Sequence, residues 1–380
     1  MLIATLKNTK ASQTNLHQYL HKHGIEVDPH EYFDTTGKQG WFLGSGAEFA
    51  LKQKIESVGK PLKDWDVKIY RGVLTGLNEA FIIDEEKKNE LIAKDPKSAE
   101  IIKPILRGRD IKRYGYEFAE LYLINVHNGY KKEIPLLRGG TEGDGVVFAI
   151  DVNGYPAIKD HLDQFEPALS KRQDKGKTQY NLRNCAYYEE FAKEKVVYSE
   201  IVREPQFYLD KSGEFFAEAT TFLMTGENLK FMCGVLNSKA FTYFFKNYYA
   251  GGGLGESGYR YKKAFLETVP IPILDTPEKQ AIAGRIEALV EQILEVKKSP
   301  FQRGESSDSG CVSDTDHHNT PSVTSGATFL TGRTIHLTST TPATPQEGNT
   351  DTTHLESQID DLVFELYGLS GEERKVVLHK

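Results

Sequence analysis

Short runs of apolar, β-branched and aromatic residues recur along the chain from Val67 onward and are separated by turns. Such runs are typical of β-strands. The segments that we interpret as strands are DVKIYRGV, EAFIID, LYLINV, GVVFAI, KVVYSEIV, QFYLD and TTFLM. Helix-like pieces interrupt them irregularly, without the even alternation of a doubly wound sheet. The pattern therefore predicts an α+β fold with a mixed sheet.

Several segments show helical patterns instead. Ser45 and Glu48 form a capping-box pattern before AEFALKQKIESVG, and Asp95 with Pro96 reads as the start of a helix over KSAEIIK. The apolar stretch GENLKFMCGVLNSKAFTYFFKNYY predicts a helical pair or one long helix. Thr276 before Pro277 is a good start signal for a further helix.

A pair of amphipathic helices is predicted at the C-terminus. Apolar residues fall at helical spacing in both segments: Ile282, Ile286, Leu289, Ile293 and Val296 in the first, and Leu355, Ile359, Leu362, Val363 and Leu366 in the second. Residues 299–353 between them are rich in Ser, Thr, Gly, Asp and Pro, and such composition predicts disorder. The two helices are expected to pack on each other.

Composition narrows the class of protein. The 380 residues carry a formal net charge of −7, which argues against a protein that coats nucleic acid indiscriminately. No apolar run approaches the roughly 20 residues that span a bilayer, and the N-terminus lacks a signal-peptide core, so we expect a cytoplasmic protein without membrane contact. Cys185, Cys233 and Cys311 lie far apart and suggest neither a disulfide framework nor a zinc site.

Positive charge is nevertheless clustered, as a selective DNA reader would require. Arginine forks bind phosphate oxygens in a bidentate manner, and lysines act as point charges. The candidate DNA-binding residues are Arg71, Thr75, Asn78, Arg107, Arg109, Lys112, Arg113, Lys171, Arg172, Lys175, Lys177, Tyr180, Arg183, Arg260, Tyr261, Lys262 and Lys263. The two tyrosines are expected to stack on bases or contact sugar. The alternative is that these clusters are solvated loops paired with local acids.

Catalytic patterns are weak. Asp95 with Asp110 and Lys112 imitates the carboxylates and lysine of a metal-dependent nuclease. The same Asp-x-Lys pattern also occurs by chance at Asp66 and Lys68. No Asn-Pro-Pro or Asp-Pro-Pro sequence, which an adenine-N6 methyltransferase needs to hold the flipped base, occurs in the 380 residues. The glycines at 251–255 suit either a phosphate-binding nest or a flexible hinge.

Two long motifs carry a family resemblance. GVLTGLNEAFIID and IIKPILRGRDIKRY resemble the TaqI-like C-terminal specificity domain of type IIG restriction-modification enzymes and related adenine-specific DNA methyltransferases. The likeness runs over residues 41–274. It resumes in LESQIDDLVFELYGLSGEE, which resembles the closing helix of type IIG chains. VPIPIL followed by an amphipathic helix also resembles the end of target-recognition units in type I specificity subunits.

The resemblance implies a function and a division of the chain. It implies sequence-specific recognition of double-stranded DNA, with no catalytic residue, cofactor site or metal site in this chain. The complete enzyme would use S-adenosylmethionine, and Mg²⁺ if it also cleaves. The predicted units are a remnant or linker at 1–40, the recognition domain at 41–275, C-terminal helices at 276–298 and 354–380, and the insertion at 299–353.

Three alternatives remain open at the level of sequence. The first is the metal-dependent nuclease already described. The second is a stand-alone specificity subunit that joins a methyltransferase or nuclease subunit through the helices around Ile286 and Ile359. The third is a gene remnant or truncated protein without activity.

Overall fold

The computed structural model describes residues 2–3, 21–22, 25–26, 46–133, 144–250, 258–297 and 351–378. Several predictions lie outside these residues. They are the cap at Ser45, most of the predicted linker at 1–40, the glycines at 251–255 and nearly all of the insertion at 299–353. Within the described part of the chain, no helix is long and apolar enough to cross a membrane.

The strands are short. They are β1 (Leu2–Ile3), β2 (Ile25–Glu26), β3 (Gly59–Pro61), β4 (Val67–Arg71), β5 (Ile82–Asp84), β6 (Ile102–Leu106), β7 (Ile111–Lys112), β8 (Gly115–Tyr116), β9 (Leu121–Ile124), β10 (Tyr130–Glu133), β11 (Asp144–Val147), β12 (Lys195–Ser199), β13 (Ile201–Val202), β14 (Phe207–Asp210), β15 (Phe216–Ala217), β16 (Thr221–Gly226), β17 (Tyr259–Arg260) and β18 (Pro270–Pro272).

The helices vary more in length. They are α1 (Gly46–Val58), α2 (Asn78–Phe81), α3 (Glu85–Lys94), α4 (Pro156–Asp163), α5 (Ala168–Lys171), α6 (Leu229–Leu236), α7 (Lys239–Phe244), α8 (Lys263–Leu266), α9 (Pro277–Lys297), α10 (Thr353–Leu366) and α11 (Gly371–Leu378). Short 3-10 helices include Pro96–Glu100 and Gly108–Asp110, and one π-helical turn spans Phe245–Tyr249.

Two four-stranded sheets form the centre of the fold. The first has the order β14-β12-β16-β4 and is antiparallel throughout. The second has the order β15-β6-β9-β5, in which β15 runs parallel to β6 and the other pairs are antiparallel. Together with the helices they confirm the predicted α+β class with mixed pairing. The chain passes from the second sheet to the first between β15 and β16.

The C-terminal helices pack as predicted. Helix α9 contacts both α6 and α10. A Cβ placed on Gly234 of α6 would lie only 2.4 Å from Cγ2 of Ile286 in α9, so glycine permits the close approach of the two helices. Lys297 at the end of α9 forms an ion pair with Glu356 of α10, with 3.0 Å between Nζ and Oε1. The predicted cap also forms, because Oγ1 of Thr276 accepts a hydrogen bond from the backbone N–H of Lys279 at 3.3 Å.

Two local predictions are wrong. The segment KSAEIIK is not an α-helix: Asp95 caps the 3-10 helix Pro96–Glu100, and the chain then enters β6. Pro104 in β6 disfavours a continued α-helix, and the apolar residues around it pair with β9 and β15 instead. In EAFIID only Ile82–Asp84 is a strand, since the preceding Asn78–Phe81 forms α2.

Candidate nucleic-acid interface

The link between the two sheets, residues 218–220, organises the surface where several predicted clusters meet. We call it the crossover segment. Beside it, the backbone N–H of Val73 donates to the carbonyl of Ala217 at 2.7 Å. The exposed Arg71 donates from Nε to the carbonyl of Ala219 at 3.0 Å. The loop that follows β4 is therefore held against the crossover segment.

Glu218 is the polar centre of this arrangement. Glu218 is 7% exposed, and its carboxylate accepts hydrogen bonds from Nδ2 of Asn78 at 3.3 Å and from the backbone N–H of Thr220 at 3.0 Å. The side-chain carbonyl of Asn78 accepts a hydrogen bond from the hydroxyl of Thr75, which is 1% exposed. Thr75 therefore shapes the turn from inside, whereas Arg71 and Asn78 remain at the surface.

The turn Gly108–Asp110 packs on the same segment. A Cβ on Gly108 would lie 2.7 Å from Oγ of Ser199 and 3.4 Å from Oγ1 of Thr220, so only glycine fits this contact without displacement. Arg109 is exposed on this turn. The turn therefore lies next to the crossover segment and carries the exposed Arg109.

Arg107 has a different environment from Arg109. Its guanidinium donates to both oxygens of Asp110, at 2.9 Å from Nε and 2.8 Å from NH2, and its side chain is 24% exposed. The hydrogen-bonded Asp110 carboxylate raises the pKa of the Arg107 guanidinium. Arg107 thus closes its own turn and has fewer donors left for an external anion than Arg109.

The carboxylates of the nuclease alternative are likewise used locally. Asp110 is 4% exposed and paired with Arg107, whereas Asp95 accepts from the backbone N–H of Lys97 at 3.2 Å. Lys112 pairs with Glu117 at 3.1 Å. Among the residues that the structure describes, no group of three or more His, Cys, Asp or Glu side chains is arranged to hold a metal ion.

The third cluster lies on a loop over residues 171–184, which we call the basic loop. Arg172 is its internal support: it is 6% exposed, and its guanidinium lies 4.4 Å from the ring centroid of Phe81. Burial lowers the pKa of Arg172 to about 10. The guanidinium donates five hydrogen bonds to four backbone carbonyls, those of Thr75, Asp174, Gln179 and Asn181. These bonds tie the basic loop to the turn after β4.

The other cations of the basic loop are exposed: Lys171, Lys175, Lys177 and Arg183. Arg183 pairs with Asp174 at 3.2 Å, and Lys175 donates to the carbonyl of Ser170 at 2.6 Å. The half-buried Tyr180 donates its hydroxyl to Asp163 at 2.6 Å. The loop therefore presents its positive charge outward around the buried Arg172.

The fourth cluster divides between surface and core. Tyr261 is fully buried and packs 4.6 Å from the ring of Phe245, so its ring faces the core and cannot stack on a base in this structure. Lys262 is exposed, and Lys263 donates to the carbonyl of Ile69 at 2.9 Å. The side chain of Arg260 is 43% exposed, and its NH1 lies 4.0 Å from Oε1 of Glu200.

Arg113 points to another part of the molecule. Its Nε lies 2.9 Å from Oε2 of Glu356, so the side chain joins the two-sheet region to α10. Lys297 reinforces this junction by donating to the carbonyl of Arg113 at 3.0 Å. The structure thus brings Arg71, Asn78 and Arg109 together around the crossover segment, with the basic loop alongside, and leaves Arg113 outside this surface.

Sequence reasoning missed the residues that assemble the surface. Glu218 contacts Asn78 across 140 positions, and Ala219 contacts Arg71 across 148 positions. Local periodicity in the sequence cannot predict contacts between residues so far apart in the chain. A short polar stretch between two strand-like runs, EAT at 218–220, was the available signal.

Part of the chain is similar to a known protein family. Residues 103–271 match the family model of the TaqI-like C-terminal specificity domain. This range contains the crossover segment, the turn Gly108–Asp110 and the basic loop, whereas the first resembling motif, GVLTGLNEAFIID, precedes it. No curated protein matches the chain.

The chain is also similar to two solved structures of restriction-modification enzymes. The type IIL restriction-modification enzyme MmeI, solved in complex with DNA, aligns with a TM-score of 0.49 and 13% identity over 84% of this chain and 36% of that one. The type IIG restriction endonuclease BpuSI aligns with a TM-score of 0.41 and 14% identity over 85% of this chain and 33% of that one. The chain therefore spans about a third of the length of either enzyme. By the family match, residues 103–271 of this protein are similar to a TaqI-like C-terminal specificity domain.

Proposed function

We propose that this chain supplies sequence-specific recognition of double-stranded DNA to a type IIG-like restriction-modification enzyme or a site-specific adenine-N6 DNA methyltransferase. The family match over residues 103–271 is the observation that carries the proposal. The clustering of exposed cations around the crossover segment and the basic loop supports it, because phosphate contacts set the register of a protein on DNA.

The exposed cations are the proposed phosphate contacts. They are Arg71, Arg109, Lys171, Lys175, Lys177, Arg183, Arg260, Lys262 and Lys263. Asn78 is exposed at the end of the turn that Thr75 shapes. Thr75, Arg172 and Tyr261 hold these groups in place from the interior and are not in the proposed contact set. Lys112, Arg113 and the half-buried Tyr180 are engaged locally with Glu117, Glu356 and Asp163, respectively.

Catalysis is assigned to another part of the complete enzyme. The 380 residues contain no Asn-Pro-Pro or Asp-Pro-Pro sequence to hold a flipped adenine. S-adenosylmethionine would supply the methyl group in that other part, whereas this chain would bind the duplex. Its role would be to position the duplex so that the target base meets the catalytic pocket.

A selection from random duplexes tests the proposal. The purified chain is incubated with the library, alone and with a candidate methyltransferase partner, and bound duplexes are sequenced. Enrichment of one motif is the expected result. If neither arm enriches a motif, target recognition is the wrong function for this chain. Co-purification of the chain with a separate methyltransferase would assign it as a subunit that acts in trans.

Substitutions in one turn test the proposed phosphate contacts. Arg109→Ala removes an exposed guanidinium and should reduce the slope of log K against log salt by about 1, with similar losses on all sequences. Arg107→Ala is the matched comparison, since that guanidinium is paired with Asp110. It should lower thermal stability more than Arg109→Ala does. An unchanged slope in Arg109→Ala would show that Arg109 does not contact a phosphate.

A further inference from the structure

Strands β10 and β11 form a two-stranded antiparallel ribbon with two different faces. Tyr130 pairs with Val147 and Lys131 with Val146. The inner face carries Tyr130, whose ring stacks 4.6 Å from that of Tyr188. Because successive side chains of a strand point to opposite faces, Lys131 and Val146 belong to the outer face.

The outer face exposes large apolar side chains. Val146 is 60% exposed and Phe148, two residues further on, is 82% exposed. Among the other large apolar side chains whose exposure the structure describes, none exceeds 48%. Gly129 lies opposite with a φ of +80°, and a Cβ there would be 2.7 Å from the carbonyl oxygen of Val147. Glycine at position 129 therefore permits the close approach of the two strands beside Phe148.

The basic loop holds the base of this ribbon. Asn128 accepts a hydrogen bond from the backbone N–H of Lys177 and donates from Nδ2 to Asn184 at 2.7 Å. On the other strand, Nδ2 of Asn181 donates to the carbonyl of Ile150 at 2.9 Å. The apolar face consequently lies beside a loop whose exposed side chains are cationic.

We propose that the ribbon enters the major groove of the target duplex and that Phe148, with Val146 beside it on the same face, is the side chain that contacts the C5-methyl group of a thymine. The inference rests on the proposed function and adds the element and side chains that read the sequence. A two-stranded ribbon fits the major groove, and contact with the thymine methyl is the way in which apolar side chains read a base there.

The neighbouring charges favour DNA over a protein as the occupant of this face. Lys177 adjoins Asn128, and the same loop carries Lys171, Lys175 and Arg183. A DNA groove is flanked by phosphates on both sides, which attract lysine and arginine side chains at the border of an apolar face. An apolar centre with a cationic border complements thymine methyl groups between two phosphate backbones.

Replacement of thymine by deoxyuridine tests the inference, since it removes only the methyl group. The duplex enriched by the wild-type chain is synthesised with each thymine replaced in turn, and dissociation constants are measured. At the contacted thymine we expect about fourfold weaker binding, the value of one buried methyl group. Phe148→Ala should bind the duplexes with thymine and with deoxyuridine at that position equally well. Replacement of the other thymines should affect this variant as it affects the wild type.

Two matched variants accompany Phe148→Ala. Phe148→Leu keeps an apolar contact and should retain part of the discrimination. Leu378→Ala removes an equally apolar exposed side chain on α11 and should retain all of it. Phe148 is exposed, so its truncation should leave the thermal midpoint close to that of the wild type.

The outcomes separate the two proposals. If the wild-type chain enriches no motif, the proposed function fails and this inference fails with it. If it enriches a motif but no thymine is sensitive to loss of its methyl group, or Phe148→Ala still discriminates thymine from deoxyuridine, only the inference is overturned. A change in oligomeric state of Phe148→Ala by light scattering, with discrimination intact, would assign the face to a protein partner instead.

Discussion

Arg172→Ala gives a sharp test of whether the basic loop is organised from its interior. The substitution removes all five hydrogen bonds to the carbonyls of Thr75, Asp174, Gln179 and Asn181, together with the contact on Phe81. The loop and the turn after β4 would lose their shared donor. We therefore expect a loss of folding stability in addition to any change in DNA binding.

The magnitude follows from the buried acceptors. The bonds to Thr75 and Asn181 lie in buried surroundings, and a buried carbonyl without a donor costs roughly 1–3 kcal/mol. The lost contact between the Arg172 guanidinium and Phe81 adds about 0.5–2 kcal/mol. Together these losses amount to roughly 2.5–8 kcal/mol of unfolding free energy. That is a large share of the total stability of an ordinary domain.

Denaturant unfolding followed by fluorescence measures this quantity. Lys175→Ala, in the same loop but exposed, is the control and should change the unfolding free energy by no more than about 0.5 kcal/mol. Arg172→Lys should recover only part of the lost stability. Lysine keeps the positive charge but cannot present donors in the planar fork of arginine. A loss below about 1 kcal/mol in Arg172→Ala, with a salt slope reduced by about 1, would refute the reasoning and make Arg172 a phosphate contact.

Further predictions concern two glycines and a histidine. Gly234→Ala should cost roughly 1–3 kcal/mol in unfolding free energy because its Cβ would meet Ile286, whereas Gly284→Ala in α9, with no atom within 4 Å, should stabilise by about 0.5–1 kcal/mol. A destabilisation of equal size in both variants would contradict this. Burial lowers the pKa of His161, so the folded state binds its proton less readily than the unfolded chain. Stability should therefore fall as the pH drops below about 6.5, by at most about 1.4 kcal/mol per pH unit from this group, and His161→Gln should flatten that dependence in urea titrations.

Much of the fold was readable from local patterns. The alternating or continuous apolar runs at β4, β9, β12, β14 and β16 identified most strands of the central sheets, because each run must bury one or both faces. The helical spacing around Ile286 and Ile359 likewise predicted two helices that pack together. The errors at KSAEIIK and EAFIID occurred where a short 3-10 or α-helical turn directly precedes a strand, so that no full period of either structure is available.

The individual site residues were less readable. Arg107, Arg109 and Arg172 have the same side chain and similar polar neighbours in sequence. Their environments nevertheless differ, from a bidentate pair with Asp110 to an exposed turn and a buried donor of five hydrogen bonds. Tyr261 was predicted beside DNA for its position among basic residues, yet alternation along β17 and beyond turns its ring into the aromatic core.

The sequence by itself determined the α+β class, the C-terminal helix pair and the resemblance to a TaqI-like specificity domain, since these depend on residues near one another in the chain. Only the tertiary structure decided which cations face outward, because that depends on contacts such as Glu218 with Asn78 across 140 positions. It also revealed the exposed face of Phe148. Local patterns state which residues carry charge or apolar area, but the environment of each side chain is set by segments that folding brings together.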